Sequence, residues 1–351
     1  MKKGIFFAIL MIILQLDGYG QESTSAENIN NIPVFIYHRV GDSRYPSTNI
    51  STEVFEMHLK YLQENGYEVI TLGTAVDFIE KGNSAPERTA VLSIDDGYTS
   101  FLENGFPLLK EYGFPATLFI NTKQVGGKGF IGWEGLKMMR ENGIEIANHS
   151  HSHDYFVNRA GEELVEEFTA DLETSHKIFK EKLGFVPDIY SFPFGEYTPE
   201  MQQILKDNGY RAAAGQHSGV ISEYSELYNL PRFPMTGIYA TKEKFIERVK
   251  MHSLPAKALQ QYPILKNGNP PKLQVKLLQP DLINNGSLQC FVAGSQDCKL
   301  EYDTENQMIT FTSEKKLSAR RSLYTITAQS ADNPGQWYWW SWLWIQPEVE
   351  E

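Results

Sequence analysis

Cysteine is scarce in this chain of 351 residues, and the two that occur, Cys290 and Cys298, lie close together near the C-terminus. Neither one points to thiolate metal binding or to nucleophilic catalysis by cysteine. In an oxidising compartment the two could form a disulfide that closes a short loop, and two free buried thiols are the alternative. The sequence leaves that choice open, because it does not show whether the geometry allows the bond.

Positive charge is also in short supply. The 32 lysines and arginines are outnumbered by 44 acidic residues, which gives a formal net charge of −12. This balance argues against nucleic acid and anionic membrane surfaces as partners. Apolar residues make up 41% of the chain, enough for a packed core, so global disorder is excluded. The length suits two domains.

The N-terminal apolar run is too short to span a membrane comfortably. Lys2 and Lys3 precede about eleven apolar residues, and the small residues Gly18 and Gly20 follow. This pattern predicts a secretory signal peptide over residues 1–20, with an uncleaved anchor as the alternative. We therefore expect a secreted or periplasmic protein that keeps no transmembrane anchor after cleavage.

The rest of the chain divides by pattern into four parts. Residues 21–31 are polar and read as a loose leader. In residues 32–255 strand-like and helix-like segments alternate, which predicts βα units and a parallel sheet or barrel. Residues 256–271 are proline-rich and are interpreted as a linker, and 272–347 carry only short strand-like runs, which predicts a small β-sandwich.

Five of the six tryptophans lie within residues 337–344. In a strand, Trp337, Trp339 and Leu343 would share one face, and Trp340 and Trp342 would lie on the other. One face can belong to a core. The other is either packed against the first domain or exposed as a platform on which sugars stack, and the sequence leaves both open.

Two clusters of polar residues follow strand-like runs. Asp95, Asp96 and Gly97 end one such run, and His149 and His153 come directly after another. Side chains at the C-terminal ends of parallel strands gather at one edge of the sheet. Carboxylate and neutral imidazole are good zinc ligands, and three protein ligands leave a position for water. A second carboxylate beside that water could act as its base, so the pattern indicates a metallohydrolase.

Three segments together resemble the motifs of the polysaccharide deacetylases, the NodB-homology enzymes of carbohydrate esterase family 4. They are Ser93–Gly97, His149–His153 and Ser191–Gly195, in the family's order over roughly residues 31–250. The stretches Pro33–His38 and Leu230–Pro234 resemble the exported deacetylases of poly-β-1,6-N-acetylglucosamine. The resemblance implies a distorted (β/α) barrel, followed here by the small all-β sandwich.

The resemblance also implies roles for individual residues. Asp96, His149 and His153 would hold a divalent metal, with zinc expected and cobalt or nickel possible alternatives. Asp95 would be the general base, and the backbone N–H of Phe194 would help to bind the oxyanion.

Pro193, Gly195 and Arg232 are expected on the substrate side of this site. For Arg232, pairing with a site carboxylate and anchoring a strand end are equal alternatives.

The chain departs from the family pattern at three points. Ser191 stands where the family has an arginine that orients the base. No clear fourth motif, an aspartate followed by tryptophan, is present, and the late motif whose histidine serves as general acid is missing. His217 is the first candidate for the acid, and His38, for which a structural role is also open, is the second.

The expected activity is removal of N-acetyl groups from glycans that contain N-acetylglucosamine, giving free amine and acetate. The partner would be an N-acetylated polysaccharide or oligosaccharide. Two other functions remain open: an O-acetyl esterase on a decorated polysaccharide, since one fold hosts both activities, and a catalytically silent glycan-binding protein.

Overall fold

The structure is a computed structural model that describes residues 30–350, apart from residues 267 and 294. The predicted signal peptide over residues 1–20 and most of the predicted leader over residues 21–31 lie outside the described residues. Among those described, no helix is both long and apolar enough to cross a bilayer.

An α/β domain forms the N-terminal part of the described chain. Its helices are α1 Thr52–Glu64, α2 Leu72–Glu80, α3 Phe106–Tyr112, α4 Trp133–Glu141, α5 Gly161–Leu183, α6 Pro199–Asp207 and α7 Lys242–Val249. Its strands are β1 Ile32–Tyr37, β2 Arg39–Val40, β3 Asn49–Ile50, β4 Glu68–Ile70, β5 Thr89–Ile94, β6 Ala116–Ile120, β7 Ile144–Asn148, β8 Ile189–Ser191, β9 Ala212–Ala214, β10 Val220–Ile221 and β11 Phe233–Pro234.

Nine of these strands form one curled sheet. Its order is β10-β1-β5-β6-β7-β8-β9, with β4 beside β5 and β11 beside β1. All neighbours are parallel except β1 and β10. The N–H of Leu230 bonds to β9 and Phe233 pairs with β1, so this segment links the last strand to the first. The predicted distorted (β/α) barrel is confirmed.

Continuous apolar runs explain why the strands lie inside the domain. Every residue of β1 and of β5 is buried, as expected for parallel strands that are covered on both faces. The helices around them are amphipathic: α1 buries Phe55, Leu59 and Leu62 against the sheet, and Ser51 caps its first turn. This arrangement leaves the carboxyl ends of β5 and β7 at the same edge.

Two four-stranded sheets make up a C-terminal β-sandwich. The remaining strands are β12 His252–Ser253, β13 Ala256–Ala258, β14 Lys272–Leu277, β15 Gln289–Val292, β16 Cys298–Asp303, β17 Met308–Ser313, β18 Arg321–Gln329 and β19 Trp337–Ile345. The sheet orders are β12-β19-β18-β15 and β13-β14-β17-β16. Cys290 and Cys298 form a disulfide with their Cα atoms 6.3 Å apart, and it ties β15 in one sheet to β16 in the other.

The sandwich begins before residue 272, the predicted start. β12 lies within the predicted catalytic range 32–255 but pairs with β19, and β13 lies within the predicted linker 256–271 but pairs with β14. Strands of two or three residues carry too little alternation to be recognised in the sequence. Their pairing is set by the longer strands beside them.

The tryptophan-rich strand β19 lies between the two domains. Trp337 and Trp339 pack against the core of the α/β domain, whereas Trp342 and Trp344 belong to the core of the sandwich. The indole Nε1 of Trp339 donates to the carbonyl oxygen of Ser218 at 3.0 Å. Packing between the domains is therefore the arrangement of this strand.

Candidate active site

The ends of β5 and β7 bring the predicted site residues together. Asp95 and Asp96 directly follow β5, and His149 directly follows β7, with only β6 between the two strands. Asp171 from α5 accepts hydrogen bonds from the backbone N–H groups of His151 and Ser152 at 2.7 and 2.8 Å. That carboxylate holds the loop that carries His149 and His153 against the edge of the sheet.

Three potential ligand atoms converge at this edge. The Nε2 atoms of His149 and His153 lie 3.2 Å apart. Oδ1 of Asp96 lies 3.6 Å from Nε2 of His149 and 3.3 Å from Nε2 of His153. Among the described residues, these three form a group able to hold a metal ion.

These separations fit a tetrahedral metal site. Ligand atoms ~2.0–2.1 Å from a tetrahedral ion lie roughly 3.3 Å from one another. Nδ1 of His149 lies 2.8 Å from the carbonyl oxygen of Ser191, so this nitrogen carries the proton and Nε2 keeps its lone pair for an ion. Burial lowers the pKa of His149 to about 4, which keeps the imidazole neutral at neutral pH.

Backbone strain is concentrated in the three motifs. Of the six non-glycine residues with positive φ among those described, four lie here: Asp96, Ser150, His153 and Phe194. Such conformations persist only where surrounding contacts determine them, and they mark functional sites. Gly97 at φ 75° completes the first turn, where a Cβ would lie 2.6 Å from Cδ1 of Ile120.

Asp95 is fully buried behind this cluster and is held by Arg232. The guanidinium donates to Oδ1 of Asp95 at 2.7 Å and to Oδ2 at 2.9 Å. Burial, the largest single cause, would raise the pKa of Asp95, but the charge of Arg232, its hydrogen bonds and the neighbouring His149 together outweigh burial and lower this pKa to about 2. Oδ2 of Asp95 lies 3.8 Å from Nε2 of His149, so an ionised carboxylate stands beside the ligand cluster.

The structure corrects the prediction that Arg232 binds substrate. Its side chain has no exposed surface, and it also donates to Ser191 Oγ and to the carbonyl oxygen of Gly215, each at 2.9 Å. A side chain enclosed in this way does not reach a glycan. Arg232 instead places a guanidinium beside Asp95, whereas the third motif has Ser191 where the family has an arginine. The small side chain of Ser191 leaves room for that guanidinium.

The third motif forms a tight turn around Phe194, whose φ is 59°. Gly195 is required there, since its φ is 70° and a Cβ would lie 2.6 Å from the backbone nitrogen of Gln216. Pro193 and Gly195 are buried, so these two residues determine the shape of the turn and do not face substrate. The N–H of Phe194 donates no hydrogen bond to the described residues.

His217 is not brought into the ligand cluster. It lines a cavity between the two domains together with Trp339, Trp340 and Trp342. Burial and the charge of Arg232 lower the pKa of His217 to about 4, so at neutral pH its imidazole is neutral and lacks the second proton that a general acid would donate. These observations argue against His217 as the general acid.

His38 is the better placed of the two predicted candidates. It directly follows β1, next to β5 in the sheet, and the backbone N–H of Asp95 donates to the carbonyl oxygen of Tyr37, the residue before His38, at 2.9 Å. Its Nδ1 is buried without a hydrogen-bond partner among the described residues.

Some residues around the site were not identified from the sequence. The ring of Tyr155 stacks on that of Phe194 with centroids 3.8 Å apart, and Phe194 meets His153 edge-on at 4.6 Å. Glu196 binds two arginines from the sandwich. Tyr155 and Glu196 each lie within two residues of a motif, and this proximity was the available signal.

Comparisons with known proteins agree with this geometry. Residues 82–213 match the family model for polysaccharide deacetylase. YxkH of Bacillus subtilis (strain 168), a polysaccharide deacetylase by name, is 29% identical over 216 residues, which cover 60% of this chain and 75% of that protein. The poly-beta-1,6-N-acetyl-D-glucosamine N-deacetylase of Staphylococcus aureus (strain MRSA252) is 26% identical over 217 residues, covering 59% of this chain and 73% of that protein.

Two solved structures share the fold. The deacetylase PplD of Streptococcus pyogenes, in complex with acetate, aligns with a TM-score of 0.58 and 18% identity, over 63% of this chain and 99% of that one. IcaB from Ammonifex degensii aligns with a TM-score of 0.57 and 24% identity, over 63% of this chain and 97% of that one. The motifs, the fold and the family model agree, and the part of the α/β domain over residues 82–213 is therefore a polysaccharide deacetylase domain.

Proposed function

We propose that this protein removes N-acetyl groups from glycans containing N-acetylglucosamine, and that it requires a divalent metal held by Asp96, His149 and His153. The observation that carries the proposal is the convergence of these three ligand atoms beside the ionised, arginine-bound carboxylate of Asp95. Zinc is the metal we expect, because two imidazoles and one carboxylate at tetrahedral spacing suit it.

As a polysaccharide deacetylase the protein is a hydrolase, and Asp95 is our proposed general base. A carboxylate accepts through several lone pairs, so Asp95 can take a proton while Arg232 holds both of its oxygens. With a pKa near 2 it is a weak base. When bound, the dication would compensate by polarising the acetyl carbonyl and lowering the pKa of water toward neutrality.

Two further groups complete the reaction. The N–H of Phe194 is free to donate to the oxyanion, and the positive φ of this residue turns it away from the regular backbone bonding of β8. The leaving amine needs a proton. We assign that step to His38 rather than His217, on the burial and the unpartnered Nδ1 described above.

Substrate and location follow from different observations. The Staphylococcus aureus relative is named for poly-β-1,6-N-acetylglucosamine, which supports an N-acetylated polysaccharide as the substrate here. The pattern of residues 1–20 supports export, secreted or into the periplasm. Mass spectrometry of the protein recovered from outside the cytoplasm should place the mature N-terminus at Gln21, and a chain that still carried its first twenty residues would contradict this.

The deciding experiment measures acetate release from β-1,6- and β-1,4-linked N-acetylglucosamine oligomers. Wild type and Asp95→Asn are compared after metal removal and after reloading with Zn²⁺. We expect release that depends on zinc and is lost in Asp95→Asn. If the zinc-loaded wild type releases acetate from acetylated xylan but from neither oligomer, the protein is an O-acetyl esterase; if it binds these glycans without hydrolysing any, it is a glycan-binding protein.

A further inference from the structure

A buried ion pair joins the C-terminal sandwich to the turn that carries Phe194. Arg320, which directly precedes β18, donates from Nε to Oε1 of Glu196 at 2.7 Å and from Nη2 to Oε2 at 2.8 Å. Both residues are almost fully buried, with exposed fractions of 6% for Arg320 and 3% for Glu196. Two parallel bonds fix both the distance and the plane of a carboxylate, so the sandwich sets the position of Glu196.

Each nitrogen of the Arg320 guanidinium donates a hydrogen bond. Its Nη1 donates to the carbonyl oxygen of Pro347 at 2.8 Å, and its Nη2 donates to Oδ1 of Asn158 at 2.7 Å. A second arginine, Arg321, donates from Nη1 to Oε1 of Glu196 at 3.0 Å. Since all three nitrogens of Arg320 are bonded, its side chain cannot swing away without breaking several hydrogen bonds at once.

A series of ring contacts continues from this ion pair to the ligand cluster. Cζ of Arg320 lies 4.3 Å from the ring centroid of Tyr155. Tyr155 stacks on Phe194, the two ring planes differing by 4°, and Phe194 meets His153 edge-on. Direct contacts therefore run without interruption from a residue of the sandwich to a residue that we propose as a metal ligand.

We propose that Arg320 is a positioning residue of the deacetylase site, acting through Glu196 and Tyr155. The left-handed conformation of Phe194 is unfavourable for a bulky residue and needs outside restraint. Glu196, pinned two residues further along, and Tyr155, stacked on the ring, supply that restraint. The inference rests on the proposed function for the roles of Phe194 and His153, and it makes the sandwich part of the active site.

The first variant to test is Arg320→Gln, which removes the two-pronged bond to Glu196. We expect kcat on acetylated oligomers to fall ~10-fold or more, with KM changed less than about twofold, because the oxyanion donor is displaced while glycan binding is kept. We also expect the Kd for Zn²⁺, measured by competition with a fluorescent chelator, to rise ~10-fold, since His153 loses its orientation. Arg320→Lys keeps the positive charge but cannot form two parallel hydrogen bonds to Glu196. It should therefore retain only part of the wild-type kcat and Zn²⁺ affinity.

Two further variants separate positioning from folding. Tyr155→Leu breaks the ring contacts but leaves the Arg320–Glu196 pair intact, and it should weaken Zn²⁺ binding as Arg320→Gln does. Arg211→Gln is the matched control, since it removes a surface arginine that bonds Glu80 and Asp77 on α2. Its kcat and Zn²⁺ Kd should equal those of the wild type.

The proposal is overturned if folded Arg320→Gln and Tyr155→Leu keep the wild-type kcat and Zn²⁺ Kd, even with a lowered unfolding temperature. The sandwich would then only stabilise the protein. If Arg320→Gln does not fold, the kcat and Zn²⁺ Kd of Tyr155→Leu alone test the proposal. A wild type that binds Zn²⁺ but deacetylates no glycan would count against the proposed function only, and the comparison of Zn²⁺ Kd values would still decide on Arg320.

Discussion

At the scale of single residues, Arg232 determines the charge state of Asp95. Replacing it in Arg232→Gln leaves a buried carboxylate without its counter-charge, which costs about 3–5 kcal/mol of stability in comparable buried pairs. Without the guanidinium, burial raises the pKa of Asp95 above its ordinary value. We therefore expect the acidic limb of the pH dependence of kcat/KM to move to higher pH, together with a lower urea midpoint.

The control for that experiment is Arg211→Gln, which removes a partly exposed arginine paired with Asp77 and Glu80 on α2, away from Asp95. Its pH profile should match that of the wild type. An unchanged acidic limb in Arg232→Gln would mean that Asp95 does not need this arginine to stay ionised.

The turn at Gly195 gives a second prediction at this scale. Gly195→Ala places a Cβ against the backbone of Gln216 at a φ of 70°, so the turn must shift and Phe194 with it. The left-handed conformation alone costs about 1–2 kcal/mol for a residue with a Cβ. We expect activity to fall ~10-fold or more, because a displacement of about 1 Å near the reacting atoms can cost a hundredfold.

A glycine with the same backbone conformation but open surroundings serves as the control. Gly184 caps α5 at φ 81°, and no atom lies within 4 Å of the position of its Cβ. Gly184→Ala should lose about 1 kcal/mol of stability and keep its activity. Equal activities in the two variants would show that the Gly195 turn tolerates movement.

The sequence could identify the ligand set but not its supports. Asp96, His149 and His153 stand in short local patterns that follow strands, so their convergence could be predicted from the parallel sheet. The partner of Arg232 lies 137 positions away in the chain, and only the folded sheet brings the two together. The position of His217 along the chain suggested a place near the site. The sequence does not show that its side chain lines the cavity between the domains instead of the ligand cluster.

At the scale of elements, the side chain of His58 connects α1 to β1 and to α7. Its Nδ1 accepts from the hydroxyl of Tyr37 on β1 at 3.0 Å, its Nε2 lies 2.9 Å from the carbonyl oxygen of Ala240, and its ring stacks on Phe245 of α7. Burial lowers the pKa of His58 to about 4. Between pH 4 and the ordinary value of 6.5, the unfolded chain therefore binds a proton that the folded protein does not.

Stability should fall as the pH drops through this window, by at most ~3 kcal/mol for His58 alone. Other buried histidines share this direction, so the test compares the wild type with His58→Gln. The difference in unfolding free energy between pH 8 and pH 5, from urea melts, should be smaller in the variant. An equal difference in both proteins would show that His58 remains neutral in the unfolded chain or charged in the folded one.

Element lengths decided which strands could be predicted. β1, β5, β6 and β7 have five or six residues, which is long enough for each to be recognised in the sequence as a buried strand. β12 and β13 have two and three residues, and they form only because β19 and β14 offer open edges. Short edge strands are specified by their neighbours rather than by their own residues.

At the scale of the whole molecule, the two domains share an interface rather than a linker. β12, which directly follows α7 and its loop, pairs with β19, and Trp339 packs on Phe233 and donates to Ser218. The sequence left open whether β19 faces protein or glycan. The answer depends on the shape of a surface formed by distant residues, which no local pattern encodes.

This interface predicts that the two domains unfold together. All α-helices of the described residues lie in the α/β domain, whereas five of the six tryptophans lie on β19, so circular dichroism and tryptophan fluorescence report mainly on different domains. Domains coupled through a shared packed strand should give coincident urea transitions by both probes.

Trp339→Ala removes the indole that bridges the domains, and it should separate the two urea midpoints. Trp340→Phe changes a side chain packed on the sandwich core, and it should keep the two midpoints together. Separate transitions in the wild type would contradict the prediction, and they would mean that the contacts around Trp339 and Ser218 are too weak to make one cooperative unit.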